Sequence, residues 1–292
     1  MSLIERSSHQ IEDFTVISAL GEGAYSFVKL CHHNYDNSKI PLVVKYVVRS
    51  RILTWCRRPD LGNRVPNEIA ILHDLSKSPH PHLPHLQTFF SDSFFYYLIF
   101  DHHPTKDLFE FIEQNSFIND DTIRVIFKQL LVAIEYIHSV GIVHRDIKDE
   151  NVLIDDSFHV TLIDFGSAAY CSSAPFKSFF GTTLYAAPEV LKGLSYEGKP
   201  QDMWQLGVLL YTLKFHENPY FTVDEILSNQ TLKYPGLIHG DLIDLLNGLL
   251  DRNVDTRFEI TKVLDHPWYS IQFNFLLGSN FNNILKYCKS SS

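Results

Sequence analysis

Cysteine is scarce in this 292-residue chain: Cys31, Cys56, Cys171 and Cys288 are all there is, at no regular spacing. Thiols so placed make neither a disulfide framework nor a zinc site, and they fit a reducing compartment, cytoplasm or nucleus. Long apolar runs are missing too. Met1 to Gln10 is polar, and the aromatic stretch near Phe94 to Phe100 is too short to cross a bilayer, so neither signal peptide nor membrane span is expected. Positive charge is not in excess either. A formal net charge of −9 argues against nucleic acid or an anionic membrane as main partner. Apolar content, by contrast, is 45%, enough over this length for a full core but leaving no room for a separate regulatory domain of ordinary size. Fifteen histidines raise the question of metal. Their densest group, Pro79-His80-Pro81-His82-Leu83-Pro84-His85, reads instead as a proline-punctuated loop before a strand.

The residues that carry chemistry gather in one stretch. His144-Arg145-Asp146 is followed by Lys148 and Asn151, and a strand-turn-strand later by Asp164-Phe165-Gly166. Moving a phosphoryl group from ATP to a hydroxyl needs this set. A carboxylate (Asp146) sits beside the incoming hydroxyl, and a lysine (Lys148) neutralises charge on the phosphate in flight. An amide (Asn151) and a second carboxylate (Asp164) hold Mg²⁺ against the phosphate oxygens. Upstream, Gly21-Glu22-Gly23-Ala24-Tyr25-Ser26-Phe27-Val28 has the form of a phosphate-covering loop between two strands. Gly21 and Gly23 let backbone N–H groups approach phosphate with no Cβ in the way. Leu42-Val43-Val44-Lys45 is an alternating strand that ends in lysine. Pro66 and Asn67 open a helix in which Glu68 stands on the first turn, placed to pair with Lys45 or to complement the helix dipole.

With these motifs in this order, the chain resembles a eukaryotic protein kinase over roughly residues 10 to 270. The resemblance implies an α+β, bilobal fold: a small, mainly antiparallel β lobe with one key helix, and a larger, mainly α-helical lobe. It divides the chain into an N-terminal extension (1–13), a kinase domain (14–270, with the small lobe at 14–100 and the hinge and large lobe at 101–270) and a C-terminal tail (271–292). ATP and Mg²⁺ are the implied cofactors. Leu20, Gly21, Gly23, Val28, Val43, Lys45, Phe100, Asp101, His103, Asp107 and Leu153 fall at the nucleotide positions, with Phe100 walling the back and Asp101 to Pro104 as hinge. Asn151 and Asp164 fall at the metal positions. Thr182 belongs to the catalytic set, bonding Asp146 and Lys148. Leu72 and Leu86 would line up with Phe165 and His144. Asp202 would brace the catalytic loop from a helix beginning there, and Arg257 would pair with Glu189. Two departures are plain: Ser26 replaces the family's third glycine, and Val43 its usual alanine.

Local spelling narrows the group. Asp146-Ile147-Lys148-Asp149-Glu150-Asn151 has Asp149 where most kinases carry proline, and Asp164-Phe165-Gly166 continues as Ser167-Ala168-Ala169-Tyr170. With the insertion Trp55 to Val65 and the run Leu213 to Tyr220, this is similar to the catalytic domain of PAS kinases, a calmodulin-dependent-kinase-like serine/threonine group. Pim-type kinases share the first spelling but not the second. No PAS domain is expected within these 292 residues.

Lys148 marks serine/threonine kinases, and protein substrates are the expected partners of a monomer, with any regulatory partner unidentified. Asp107 and Glu150 stand where related kinases hold a basic residue, so arginine three residues before the acceptor is the expected preference. Asp107 also reads as a helix cap. Arg145 is the arginine that in many kinases receives an activation-loop phosphate. Ser178 is a candidate acceptor with Ser172 and Ser173 nearby, and the PAS-kinase resemblance implies a loop that can work without phosphorylation. The Asp121 to Val140 stretch has helical spacing and stops at Gly141. Arg49, Arg51, Arg57, Arg58 and Arg64 read as a solvated loop rather than a docking patch. Phe273 to Leu285 is apolar enough to pack or to bind a partner. Two function classes result: an active kinase, favoured by the intact charge-handling set, and an ATP-binding scaffold without turnover.

Overall fold

The computed structural model describes residues 9–269 apart from 24, 37, 229 and 237. The apolar stretch Phe273 to Leu285 and Cys288 lie outside the described residues. The chain divides between Pro104 and Thr105 into two compact units.

In the first unit run β1 (Phe14–Glu22), β2 (Ser26–His33), β3 (Pro41–Val48), β4 (Trp55–Arg58), β5 (Asn63–Pro66), α1 (Asn67–Ser76), β6 (Leu86–Ser91) and β7 (Phe95–Asp101). Five of them form an antiparallel sheet in the order β1-β2-β3-β7-β6. Side chains alternate across a strand, so the register sorts residues onto two faces. Phe14, Cys31, Val44, Tyr46, Tyr97 and Ile99 build a core cluster on one face. On the other, Val43 stands opposite Phe100, and Val28 and Leu98 flank Lys45. The pattern of branched and aromatic residues thus explains both the sheet and the face it leaves for the site.

The arginine-rich insertion is as solvated as its composition suggested at Arg51, Arg57 and Arg64, which are exposed, but it is not a loop. It is a two-stranded ladder, β4 against β5, turned through Gly62 and Asn63 in left-handed conformations. Arg64 stacks on Trp55, and Trp55 meets Tyr96 edge-on. Arg58 is the tie. Its Nε and Nη2 donate to Asp60 at 2.9 and 2.7 Å, and its Nη1 and Nη2 donate to Asp74 at 2.8 and 3.0 Å. The Asp60 carboxyl is held down to about 2 by the Arg58 hydrogen bonds. The far half of α1 is therefore gripped by the ladder that precedes it.

The second unit holds β8 (Lys106–Asp107), α2 (Leu108–Gln114), α3 (Asp120–Ser139), β9 (Ile142–Val143), β10 (Val152–Ile154), β11 (Val160–Leu162), β12 (Ala169–Tyr170), α4 (Pro188–Leu191), α5 (Gly198–Phe215), α6 (Val223–Leu227), α7 (Gly240–Leu249) and α8 (Ile260–Leu264). The apolar stripe of α3 is buried as its spacing predicts, with Ile123, Ile126, Phe127, Leu130 and Ile134 wholly inside. It starts one residue early because Asn119 accepts the Thr122 N–H at 2.9 Å as cap, and Gly141, at φ +75°, follows its end. Helix α5 is buried on almost all sides and begins at Gly198, so Asp202 lies in its second turn rather than at its start.

Arg257 fixes the lower part of this unit. It forks onto Glu189 at 2.7 and 2.9 Å, donates to the carbonyls of Pro200 and Asp251, and lies over the Trp204 ring. Its side chain is 1% exposed. Replacing one member of such a pair strands a buried charge. We expect Arg257→Met to cost about 3–5 kcal/mol, read as a lowered urea midpoint at constant slope.

Candidate active site

In the first unit, Lys45 Nζ lies 2.5 Å from Glu68 Oε1, with side chains 12% and 9% exposed. Glu68 can reach because it sits on the first turn of α1. Arg58 holds the same helix about two turns further on, through Asp74. Two grips on a short helix fix its rotation as well as its position. Pro66 supplies no side-chain cap, so packing and these pairs carry the placement. Val28, Val43 and Phe100 share the Lys45 face, half-buried. Leu20 is exposed just before the glycine loop. A Cβ at Gly21 would meet nothing within 4 Å, and neither Gly21 nor Gly23 is in the left-handed region. The protein itself makes no steric demand for these glycines, although the Gly23 N–H already donates to the Ser26 carbonyl at 2.8 Å. Asp101 ends β7 and accepts a hydrogen bond from Gln87, and His103 follows.

In the second unit, Asp107 and Leu153 are directly opposed in the β8–β10 ladder. Asp107 caps α2, its Oδ1 accepting from Glu110 N at 2.7 Å. The catalytic loop begins with His144, wholly buried, whose Nε2 is 3.0 Å from the Ile163 carbonyl and whose ring meets Phe165 edge-on. Leu72 and Leu86, expected to line up with that pair, are buried in the first unit. Arg145 takes a left-handed φ of +66°, and Asp202 accepts the N–H groups of His144 and Arg145 at 3.0 and 2.7 Å.

Asp146 is fixed from both sides. Its Oδ1 accepts from Thr182 N and Oγ1 at 2.8 and 3.1 Å, and its Oδ2 from Asn151 Nδ2 at 3.1 Å. The same Asn151 nitrogen donates to the Asp146 carbonyl at 2.8 Å, which leaves Asn151 Oδ1 to face elsewhere. Asp164, also left-handed at φ +61°, accepts from Gly166 N through Oδ1. An amide oxygen and a carboxylate are hard oxygen donors, and they suit Mg²⁺. Thr182 departs from expectation in one respect: it bonds Asp146, whereas Lys148 pairs with Glu150. Burial opposes the charge on Lys148, yet the Glu150 bond and the nearby carboxylates outweigh it and raise its pKa.

Several contributors lack a motif. His138 Nε2 is 2.8 Å from Asp202 Oδ2. Gln205 accepts from Ile147 N and donates to the Arg145 carbonyl, both at 3.0 Å. It stands one turn beyond Asp202 on α5, a helical spacing that would have flagged it. A Cβ at Gly181 would sit 2.5 Å from the Arg145 carbonyl, so only glycine passes there. Arg145 itself, 4% exposed, donates to the Ser167 carbonyl at 2.8 Å and stacks on Phe176. Its guanidinium is thus held without any phosphate on Ser178.

A family model of the protein kinase domain matches residues 14–269. The chain is 44% identical over 269 residues to the serine/threonine-protein kinase PSK2 of Saccharomyces cerevisiae, covering 90% of this chain and 24% of that protein. It is 40% identical over 265 residues to a PAS domain-containing serine/threonine-protein kinase of Mus musculus, covering 89% and 19%. With serine/threonine-protein kinase pim-2 of Danio rerio it shares 33% over 268 residues, covering 89% and 86%. The chain belongs to the protein kinase domain family, and its catalytic segment is similar to those of PAS kinases. It spans between 19% and 34% of the length of the yeast, fission yeast and mouse relatives.

Asp149, the aspartate in the proline position, is buried and accepts from Tyr185 OH at 3.0 Å and Glu150 N at 3.2 Å. Burial raises its carboxyl pKa, and the Tyr185 hydrogen bond only partly offsets this. A carboxyl whose folded pKa lies above its unfolded value favours folding while protonated, and loses that advantage as pH rises through the folded value. Asp149→Asn removes the ionisation. Urea midpoints of the variant relative to the parent should therefore climb as pH is raised above the ordinary carboxylate range; a difference independent of pH would refute this.

Proposed function

We propose that this chain is a serine/threonine protein kinase, transferring the terminal phosphoryl group of ATP to protein hydroxyls. The observation that carries the reading is the fixed Asp146 carboxylate, with Asn151 and Lys148 on the same loop. Asp146 Oδ2 keeps a lone pair beyond its one bond from Asn151, and it is the acceptor for the substrate hydroxyl proton. The hydroxyl oxygen bonds to the γ-phosphorus, the bond from that phosphorus to its bridging oxygen breaks, and ADP departs with the electron pair. Lys148, its charge favoured by the surrounding carboxylates, faces the charge that spreads over the transferred oxygens. Lys45, held by Glu68, orients the α- and β-phosphates. Asn151 and Asp164 would hold Mg²⁺, which when bound neutralises phosphate charge.

A preference for arginine at position −3 follows from Asp107 and Glu150. Glu150 is 57% exposed although paired with Lys148, and Asp107 commits one oxygen to its cap, so each retains acceptor capacity. We further propose a cytoplasmic, and also nuclear, monomer; the free thiols Cys31, Cys56 and Cys171 suit that setting. A part in nutrient or carbon signalling rests on the PAS-kinase resemblance. A more distant relative, 28% identical, is a carbon catabolite-derepressing protein kinase of Candida glabrata.

Phosphate transfer from Mg·ATP to serine peptides with and without arginine at −3 tests the reading, alongside Asp164→Asn. Transfer favouring the arginine peptide by at least about tenfold, and lost in the variant, is expected. Equal transfer to both peptides would sink the assignment of Asp107 and Glu150. No transfer by a chain that still binds ATP would leave a scaffold.

A further inference from the structure

Away from the site described above, three ligating side chains converge beside the edge strand β1. His9 and Asp13 lie four residues apart, around the single turn Ile11–Asp13, and His33 closes β2 opposite Phe14. His33 Nε2 lies 3.4 Å from His9 Nδ1, and His9 Nδ1 lies 3.8 Å from Asp13 Oδ2. All three ligand atoms fall within 4.8 Å of one another. None of the three residues is fully buried, so ions can reach them.

The spacing that now holds a long His33–His9 hydrogen bond also suits a shared ion. Two nitrogens on one tetrahedral Zn²⁺, at about 2.0–2.1 Å each, stand about 3.3–3.4 Å apart. A nitrogen pair at 3.4 Å is long for a hydrogen bond. The His9–Asp13 edge, at 3.8 Å, is a few tenths of an ångström wider than a tetrahedral edge, and the His33–Asp13 edge is no more than 4.8 Å, so the carboxylate closes onto the ion by a side-chain rotation. The rings are also positioned by other contacts: Phe14 meets both His9 and His33 edge-on, and Asp13 Oδ2 accepts from Gln10 N at 2.9 Å.

We propose that His9, Asp13 and His33 form a binding site for a borderline divalent transition ion, Zn²⁺ in class, with water as fourth ligand. Two imidazoles and one carboxylate favour Zn²⁺, Cu²⁺ or Ni²⁺ over Mg²⁺, so the site does not compete for the ion that Asn151 and Asp164 would hold. Coordination through Nε2 puts the remaining His33 ring proton on Nδ1, which at present accepts from Tyr35 N at 3.3 Å. That contact is lost on binding. Lacking an acceptor for the far nitrogen lowers affinity by about 10–100-fold against a fully supported site. The ion ties the segment before β1 to β2 and so stabilises the folded chain by mass action. The proposal is independent of the kinase reading.

Titration of Zn²⁺ into the full 292-residue chain by calorimetry tests it, with His9→Gln and His33→Gln as variants. The expected result is one site per chain, weakened at least about tenfold in each variant. Thermal midpoints should rise with Zn²⁺ in the parent and not in the variants, and Co²⁺ should show the intense visible bands of four-coordination. His9→Gln lies before β1 and keeps the test valid should His33→Gln fail to fold. Affinity unchanged in the variants, as binding at other histidines would give, overturns the proposal; so does a parent that takes up no Zn²⁺.

Discussion

The carboxylate of Asp202 is wholly buried, accepts the N–H groups of His144 and Arg145, and faces His138 Nε2. A left-handed backbone costs Arg145 about 1–2 kcal/mol, and charge-assisted hydrogen bonds from the His144 and Arg145 N–H groups to the buried carboxylate hold it there. The turn they enforce decides where Asp146 and everything after it points. Gln205, from the same helix, closes the arrangement by engaging Ile147 N and the Arg145 carbonyl. The catalytic loop has almost no regular structure of its own, so α5 supplies its shape.

That dependence explains the packing around it. A helix that presents a charge and an amide to a loop must itself be immobile, and α5 is buried on almost every side, with Trp204 under the Arg257 guanidinium. From the other side, Thr182 pins Asp146, and Gly181 passes so close to Arg145 that no side chain fits. Arg145 occupies its own guanidinium with the Ser167 carbonyl and the Phe176 ring. In the first unit the equivalent constraint is the placement of α1, held at one end by Lys45 and towards the other by Arg58.

Groups whose role is written in fixed spacing were legible in the sequence: Lys45 and Glu68 as partners, Asp146 with Asn151, the apolar stripe of α3. Alternation in Leu42 to Lys45 likewise foretold which side chains share the Lys45 face. What escaped depends on distant partners. Asp149 reads as a mere substitution for proline until Tyr185 is seen to donate to it. Lys148 and Thr182 share one reaction in the sequence motif, yet the lysine's ion pair is with Glu150, two residues away. The β4–β5 ladder was hidden by its arginines, whose charge suggests solvent: Arg64 is exposed over Trp55, but Arg58 turns in to Asp74. Helix α5 has no side-chain cap to announce its start at Gly198.

If the loop takes its working shape from the buried charge on α5, the shape should fail when only that charge is removed. Asp202→Asn keeps the size of the side chain and lets near-ultraviolet circular dichroism report whether the fold persists. For a folded variant, the account predicts a fall in kcat for peptide phosphorylation of about 100-fold or more, with the KM for ATP nearly unchanged. A folded Asp202→Asn protein that phosphorylates peptide within about twofold of the parent rate would contradict it.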